Sequence, residues 1–236
     1  MEFVADLLEW FVDPTHWTGT KGIGHRLLEH LGYSAAATVV AAAFALPIGL
    51  GLGHSGRGGQ LAINLTNVGR AVPTFGVLLL VVVLSGIGLT PLLVALVGLA
   101  VPPIVTNSYV GVRSVDPEVR DAAEGMGMTG AQVLLRAELP IALPLVMAGL
   151  RTSAVQVVAT ATLAAVAALG GLGRYIVDGL RNNDLTEVTA GGLLVAVLAL
   201  ATELAMAGLQ RVVVSDGLAA RNAQAAADAK LTTTAG

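Results

Sequence analysis

Two charged side chains, Arg151 and Glu203, occur within long apolar runs of the sequence. If such runs cross a membrane, a charge inside them is costly and usually pairs with another charge or faces water. Arg151 lies eleven residues after Pro140, roughly 16 Å along a helix, and Glu203 lies eight residues before Arg211, roughly 12 Å. Because these depths are similar, we expect Arg151 and Glu203 to interact or to line an inner vestibule. The alternative is that each side chain extends toward the cytoplasmic membrane surface.

A polar stripe follows Arg151. Thr152, Gln156 and Thr160 recur every four residues and therefore share one face of a helix. Hydroxyl and amide groups in such a stripe are suited to line a path for a polar solute. The alternative is that the hydroxyls bond to carbonyls of the preceding turn and that Gln156 links two helices. The sequence leaves both open.

The sequence lacks the residue patterns of the common catalytic and cofactor sites. It has no Gly-x4-Gly-Lys-Ser/Thr phosphate loop, and its two Gly-x-Gly-x-x-Gly strings, beginning at Gly51 and Gly125, follow no strand. With no cysteine, disulfides and thiolate metal sites are excluded, and the four histidines show no metal-ligand spacing. We therefore expect no enzymatic activity, metal or cofactor in this chain.

The composition is that of an integral membrane protein. Hydrophobic residues make up 55% of the 236 residues and charged residues 12%, whereas soluble domains carry about a quarter charged residues. The mean hydropathy is +0.77. A net charge of −3 without a basic tract argues against a nucleic-acid partner. The N-terminus lacks a basic n-region, so we expect no cleaved signal peptide. The predicted fold class is an all-α membrane protein.

About five segments are long and apolar enough to cross about 30 Å of hydrocarbon. They are Leu31–Gly53, Val72–Ile87, Leu89–Val112, Ile141–Leu169 and Val188–Leu209. These spans make up a transmembrane domain over residues 31–212, with a polar loop at residues 113–140. Residues 1–30 would form an interfacial segment with Trp10 and Trp17 at headgroup level, and residues 213–236 a cytoplasmic tail.

The distribution of Lys and Arg predicts the orientation, because these residues favour the cytoplasmic side. With the N-terminus outside, the inner side holds eight of them and the outer side four. The inner set is Arg57, Arg70, Arg113, Arg120, Arg136, Arg211, Arg221 and Lys230, and the outer set is Lys21, Arg26, Arg174 and Arg181. We therefore expect the N-terminus outside, the C-terminus inside, and the polar loop in the cytoplasm.

The polar loop carries two helix-start patterns. Asp116 is a predicted N-cap followed by Pro117 at the first helical position, and this helix should end at the glycines 125–127. Thr129 and Gln132 form a capping box for a second short helix, which should end before Pro140. Two short helices joined by a glycine bend form a knob that fits a groove on a soluble partner. The alternative is a helical, solvated linker.

This loop resembles the "EAA" loop of the membrane subunits of bacterial ATP-binding-cassette importers. The family pattern is Glu-Ala-Ala, three residues, Gly, nine residues, Ile, one residue, Leu-Pro. The matching positions are Asp121, Ala122, Ala123, Gly127, Ala137, Leu139 and Pro140. Asp121 replaces Glu and keeps the charge, whereas Ala137 replaces Ile and loses a packing anchor.

The resemblance implies a MetI-like permease fold in a bacterial plasma membrane. It also implies that this chain assembles with partner proteins. Two membrane subunits, identical or paralogous, would form the pathway. Two ATPase subunits, which bind ATP and Mg²⁺, would dock on the loop. The residues assigned to this docking are Asp121, Ala122, Ala123, Glu124, Gly125, Gly127, Leu139 and Pro140. An extracytoplasmic binding protein would deliver the substrate to the outer face. Residues 170–187 would form an outer-face element that contacts this protein, with Arg174, Tyr175, Asp178 and Arg181 as candidate contacts. The alternative is that residues 170–187 are a plain solvated turn.

Longer strings resemble the osmoprotectant branch of these permeases, which imports glycine betaine, choline, carnitine and proline betaine. They include LPIALPLVMAGLR at residues 139–151, TATLAAVAALGGLG at residues 160–173, and Val72-Pro73-Thr74. The alternatives are the same machine with other cargo, such as an amino acid, an ion-gradient-driven carrier or channel, and a membrane-embedded enzyme. A carrier often shows two matching halves, and the sequence shows no second half.

Overall fold

The computed structural model describes residues 2–59, 64 and 73–214, which form helices and turns without any strand. The α-helices are α1 (Glu2–Val12), α2 (Ile23–Ser55), α3 (Thr74–Ser85), α4 (Leu89–Arg113), α5 (Pro117–Gly125), α6 (Gly130–Gln132), α7 (Leu139–Thr160), α8 (Gly173–Asn182) and α9 (Leu185–Val213). Short 3-10 helices cover Pro14–His16 and Ala161–Ala165, and a π-helix covers Val133–Glu138. The predicted all-α class is confirmed.

Four of the predicted spans are helices long and apolar enough to cross a membrane. They are α2 (33 residues), α4 (25 residues), α9 (29 residues) and the continuous stretch Gly130–Ala165 (36 residues) that contains α7. The remaining predicted span is represented by α3, which is apolar but has only 12 residues. Its predicted first residue, Val72, lies outside the described residues, as do Arg70 and the C-terminal segment from residue 215.

Small residues bring α2 and α4 into close contact. Ala37, Ala41, Ala45, Gly49 and Gly53 follow one another at four-residue intervals along α2 and are all buried. A Cβ placed on Gly49 would lie 2.7 Å from the carbonyl oxygen of residue 105 in α4, so only glycine fits at this approach. A Cβ on Gly53 would likewise lie 2.7 Å from Cβ of Val112, in agreement with the rule that small residues let helix backbones approach closely in membranes.

Helix α7 packs on the other side of α4 by the same device. A Cβ on Gly149 would lie 2.8 Å from Cβ of Asn107, and one on Gly111 would lie 3.0 Å from the carbonyl oxygen of Ala142. The buried Ser153 hydroxyl donates a 2.8 Å hydrogen bond to the carbonyl of residue 100, which links α7 to α4. Helix α4 therefore forms the centre of the bundle, between α2 and α7.

Helix α7 ends at Thr160 and is followed by the 3-10 helix Ala161–Ala165, so the helical stretch stops four residues before the predicted end of the span at Leu169. Hydrogen bonds with Glu29 and His30 in α2 hold the chain at the end of α7 and after it. The carboxylate of Glu29 accepts a 2.8 Å hydrogen bond from the backbone N–H of Gly171. The buried His30 donates from Nε2 to the carbonyl of Val158 (2.8 Å) and accepts at Nδ1 from the backbone N–H of Leu172 (3.3 Å). These bonds fix the tautomer of His30 and the path of the chain from α7 to α8.

The N-terminal segment packs on the bundle more closely than expected for an interfacial helix. Helix α2 begins at Ile23, eight residues before the predicted span. Trp10 is only 8% exposed, because it stacks on His16 (centroids 4.1 Å apart) and meets the edge of Tyr175 (5.5 Å), whereas Trp17 is 52% exposed. Trp10 is therefore a packing residue buried within the protein, and its level in the membrane stays a prediction.

Candidate functional site

The polar loop between α4 and α7 begins with the predicted short helix and bend. Oδ1 of Asp116 accepts a 3.0 Å hydrogen bond from the backbone N–H of Glu118, which caps α5 as expected. Helix α5 ends at Gly125, and Gly127 has a φ of +82°. Residues other than glycine rarely adopt this backbone conformation, so Gly127 provides the bend that separates α5 from α6.

The second part of the loop starts as predicted and ends differently. The backbone N–H of Thr129 donates a 2.8 Å hydrogen bond to Oε1 of Gln132, and the capping box is complete. The helix does not stop before Pro140, however, because α6 continues through the π-helix into α7. The N–H of Leu139 bonds to the carbonyl five residues earlier. This wider turn accommodates a proline that lacks an N–H. The loop is thus continuous with a membrane-spanning helix.

Most of the docking residues predicted on this loop are on the surface. Asp121, Ala122, Glu124, Gly125, Gly127 and Pro140 are exposed, Leu139 is half-buried, and Ala123 is buried. Ala123 therefore packs the knob onto the protein and does not offer a docking contact. Two apolar side chains that the sequence did not single out, Met126 and Leu135, are 72% and 59% exposed beside them. The knob presents acidic and apolar side chains together with the exposed Arg136.

Behind the knob lies a buried ion cluster that sequence reasoning missed. The side chain of Glu138 is fully buried. Its Oε2 lies 2.7 Å from Nδ1 of His54 at the end of α2, and its Oε1 lies 2.7 Å from Nε of Arg120 in α5. The Arg120 contact is an ion pair without the alignment of a hydrogen bond. Nη2 of Arg120 also donates a 2.6 Å hydrogen bond to the carbonyl of Val112 at the end of α4.

Arg151 and Glu203 are in contact, in agreement with the expectation that these two charges interact. Nη2 of Arg151 in α7 donates a hydrogen bond to Oε1 of Glu203 in α9, and each side chain is 35% exposed. Nearer the polar loop, Nε2 of Gln210 donates a 3.3 Å hydrogen bond to the carbonyl of Pro144. These two contacts join α9 to α7 within the membrane-spanning part of the bundle.

The polar stripe faces away from the protein core. Thr152 and Gln156 are exposed and Thr160 is partly exposed, whereas the neighbouring Ser153 on α7 is buried. Among the described residues, Gln156 is therefore not packed between two helices. The stripe is a polar surface on a helix whose length and composition suit a membrane span.

Helix α8 carries the four residues predicted to contact a binding protein. Nε of Arg174 donates a 3.1 Å hydrogen bond to Oδ2 of Asp178, and the Arg181 side chain is 68% exposed. Tyr175 points inward instead. It is 7% exposed, its hydroxyl donates a 2.7 Å hydrogen bond to the carbonyl of Lys21, and burial raises the pKa of that hydroxyl to about 12. Tyr175 therefore offers little surface to a partner.

Within residues 2–59, 64 and 73–214, no three His, Cys, Asp or Glu side chains are grouped as metal ligands. The polar features of the site are instead a knob at one end of the bundle, an ion pair with a polar stripe along α7, and a charged helix at the other end. This arrangement offers a polar face along α7 and charged surfaces at both ends of the bundle.

The sequence matches the family described as "Binding-protein-dependent transport system inner membrane component" over residues 43–216. This range runs from the middle of α2 through α9 and includes the knob, the ion cluster, the polar stripe and α8.

Several permeases are similar in sequence. The chain is 36% identical over 191 residues to the carnitine transport permease protein OpuCB of Listeria monocytogenes, covering 79% of this chain and 88% of that protein. It is 34% identical over 190 residues to the glycine betaine/carnitine/choline transport system permease protein OpuCB of Bacillus subtilis, covering 80% and 88%. A choline transport system permease protein of Bacillus subtilis, OpuBB, is 32% identical over 194 residues, covering 82% and 89%.

Among solved structures, an inward-facing form of the MetNI methionine ABC transporter has the same fold. The TM-score is 0.68 at 21% sequence identity, and the match covers 80% of this chain and 94% of that chain. The similarity supports the helical architecture described above.

Proposed function

Because this chain belongs to the family of binding-protein-dependent transport system inner membrane components, we propose that it is the pathway-forming subunit of an ATP-driven importer of quaternary ammonium osmoprotectants. The chain is a multi-pass permease. The observation that carries the proposal is the knob at residues 114–138, because it is exposed, capped and continuous with the span that bears the polar stripe.

The proposed orientation has the knob in the cytoplasm and the N-terminus outside. Arg57, Arg113 and Arg136 lie at or next to the end of the bundle that carries the knob. Lys21 and Arg174 lie at the opposite end, where α2 begins and α8 packs. This distribution agrees with the preference of Lys and Arg for the cytoplasmic side.

The knob is the proposed docking site for a separate ATPase. ATP and Mg²⁺ bind to that partner, and this chain contributes the exposed carboxylates of Asp121 and Glu124 with the apolar side chains of Met126 and Leu135. Apolar contacts at the centre of such a patch provide affinity, and charges at its edge provide orientation. The bend at Gly127 sets the angle between the two halves of the knob.

The polar stripe is the proposed lining of the translocation pathway. Exposed polar groups such as Thr152 and Gln156 are unfavourable against hydrocarbon, so this face of α7 meets water or a second permease subunit. Two such subunits, identical or paralogous, enclose the path between their stripes. The Arg151–Glu203 pair lies beside Thr152 and keeps both charges compensated next to the path.

The proposed cargo follows from the similar permeases, which transport carnitine, choline and glycine betaine. Quaternary ammonium groups are usually bound by aromatic cages through cation–π interactions. The chain has only nine aromatic residues, four Phe, three Tyr and two Trp. Selectivity therefore resides in a binding protein, which docks at the exposed face of α8 around Arg174, Asp178 and Arg181. An importer of another small solute, such as an amino acid, is the second candidate, since the MetNI methionine transporter has the same fold.

The test combines docking with a cargo panel. The purified chain is reconstituted with its ATPase and binding protein, and uptake of labelled glycine betaine, choline, carnitine and proline betaine is compared with uptake of methionine. We expect ATP-dependent uptake of at least one quaternary ammonium compound, and loss of ATPase binding in Gly127→Pro. ATPase binding with uptake of methionine alone would contradict the cargo and keep the importer.

A further inference from the structure

We propose that Glu138 is a positioning residue that transmits movement of the docked knob to helix α2, acting through Arg120 and His54. The inference rests on the proposed ATP-driven function. It concerns the buried ion cluster of Glu138, Arg120 and His54. None of these three residues is assigned to docking or to the pathway. The cluster links the element next to the docking surface to helices of the membrane-spanning bundle.

The geometry places Glu138 at the junction of four elements. Glu138 lies in the π-helix just before α7, and its two carboxylate oxygens contact His54 in α2 and Arg120 in α5, each at 2.7 Å. Arg120 precedes the docking residue Asp121 directly and also bonds to the carbonyl of Val112 at the end of α4. A displacement of α5 therefore acts on α2, α4 and α7 at once.

The second ring nitrogen of His54 lies against the other half of the knob. A Cβ placed on Gly130, the first residue of α6, would be 3.2 Å from Nε2 of His54. The His54 ring thus fills the space between the buried carboxylate and the start of α6. Both short helices of the knob contact the same cluster, α5 through Arg120 and α6 through His54.

The burial of Glu138 makes this connection stiff. A carboxylate removed from water is strongly destabilising unless it keeps its partners, because the loss of one partner leaves an uncompensated charge. The Glu138 side chain is fully buried, and that of Arg120 is 18% exposed. Apolar surfaces can slide past each other at little cost, whereas these ion pairs resist separation. Helices α2 and α5 and the π-helix therefore move together when the knob is displaced.

Movement of the ion cluster can reach the membrane-spanning helix α7 through the π-helix that contains Glu138. Its hydrogen bonds join residues five apart, and such single-turn π segments frequently occur at functional sites. From here the chain runs without a break through α7, which carries Arg151 and Thr152. A shift at Glu138 is passed along one continuous helix to the polar stripe.

The experiment measures solute transported per ATP hydrolysed in proteoliposomes that contain the full transporter. Glu138→Gln keeps the shape and removes the charge. Arg120→Met with Glu138→Leu removes both charges and leaves no lone buried ion, so we expect this double variant to fold. The matched control is Glu118→Gln, which neutralises an exposed carboxylate of α5 outside the cluster. Binding of the ATPase and its ATP hydrolysis are measured in parallel.

We expect Glu138→Gln and the double variant to bind the ATPase and hydrolyse ATP while transporting at least about fivefold less solute per ATP. Glu118→Gln should match the wild type. A wild-type ratio in the double variant would overturn the inference, as would failure of both cluster variants to assemble, which would make the cluster purely structural. Absence of ATP-dependent uptake in the wild type would instead overturn the proposed function on which the inference depends.

Discussion

Replacing Gly127 by Ala tests the bend that shapes the knob. Gly127 has a φ of +82°, and apart from its chain neighbours no atom of the described residues lies within 4 Å of the position that a Cβ would occupy. The substitution therefore creates no clash, and its whole effect is backbone strain. An L-residue in the left-handed region costs about 1–2 kcal/mol.

The strain should appear in docking and not in the stability of the bundle. The bend is exposed, so the free loop escapes the strain by changing its conformation, and docking must restore the native bend. At about 1.4 kcal/mol per tenfold change, a cost of about 1–2 kcal/mol weakens ATPase binding about 5- to 30-fold. The thermal midpoint of the purified permease should stay close to that of the wild type.

Gly125→Ala is the matched control for this prediction. Gly125 is the last residue of α5, has a helical backbone, and also has no atom within 4 Å of a Cβ. Alanine is favoured over glycine in helices, so Gly125→Ala adds a methyl group to a docking residue without backbone strain. Its ATPase affinity measures the effect of that methyl group alone, and Gly127→Ala should bind about 5- to 30-fold more weakly than Gly125→Ala. The measurement is the Kd of the ATPase for each variant in lipid nanodiscs. Equal affinity of Gly127→Ala and Gly125→Ala would refute the role assigned to the bend.

Three further predictions follow from the described contacts. Gly49→Ala places a Cβ 2.7 Å from a backbone oxygen and should lower the free energy of unfolding by about 1–3 kcal/mol. Gly51→Ala is the control, because no atom is found within 4 Å of its Cβ position, and it should leave the stability unchanged. Equal melting curves for the two variants would contradict the close α2–α4 packing. Arg151→Ala and Glu203→Ala should have non-additive effects on transport in a double-mutant cycle, and full additivity would exclude a direct interaction. Burial raises the pKa of the Tyr175 hydroxyl from 10.0 to about 12, so the free energy of unfolding should stay constant below pH 10 and fall between pH 10 and about 12. Tyr175→Phe should remove part of that fall. An unchanged pH profile in this variant would contradict the burial of Tyr175.

The short-range features were predictable because their causes are local. The cap at Asp116, the Thr129–Gln132 box and the bend at Gly127 each depend on residues within a few positions, and all three are confirmed. The Arg151–Glu203 contact was also predictable, because charges at similar depths in a membrane have few other partners.

The features that sequence reasoning missed depend on distant partners. The contact between His54 and Glu138 joins residues 84 positions apart, and no spacing in the sequence indicates it. Trp10 was assigned to the surface because an apolar helix face has the same pattern whether it contacts lipid or protein. The expected stop before Pro140 failed because a π-helix relieves the proline, which the standard helix rule does not consider.

The central claim is that ATP hydrolysis on a partner drives osmoprotectant import through this chain. The most direct measurement is uptake of labelled glycine betaine and choline into proteoliposomes that contain this permease, its ATPase and its binding protein. Uptake is compared between vesicles supplied with ATP and vesicles that have an ion gradient but no ATPase. The account predicts uptake of one or both compounds only with ATP and ATPase. Uptake driven by the ion gradient alone would contradict it.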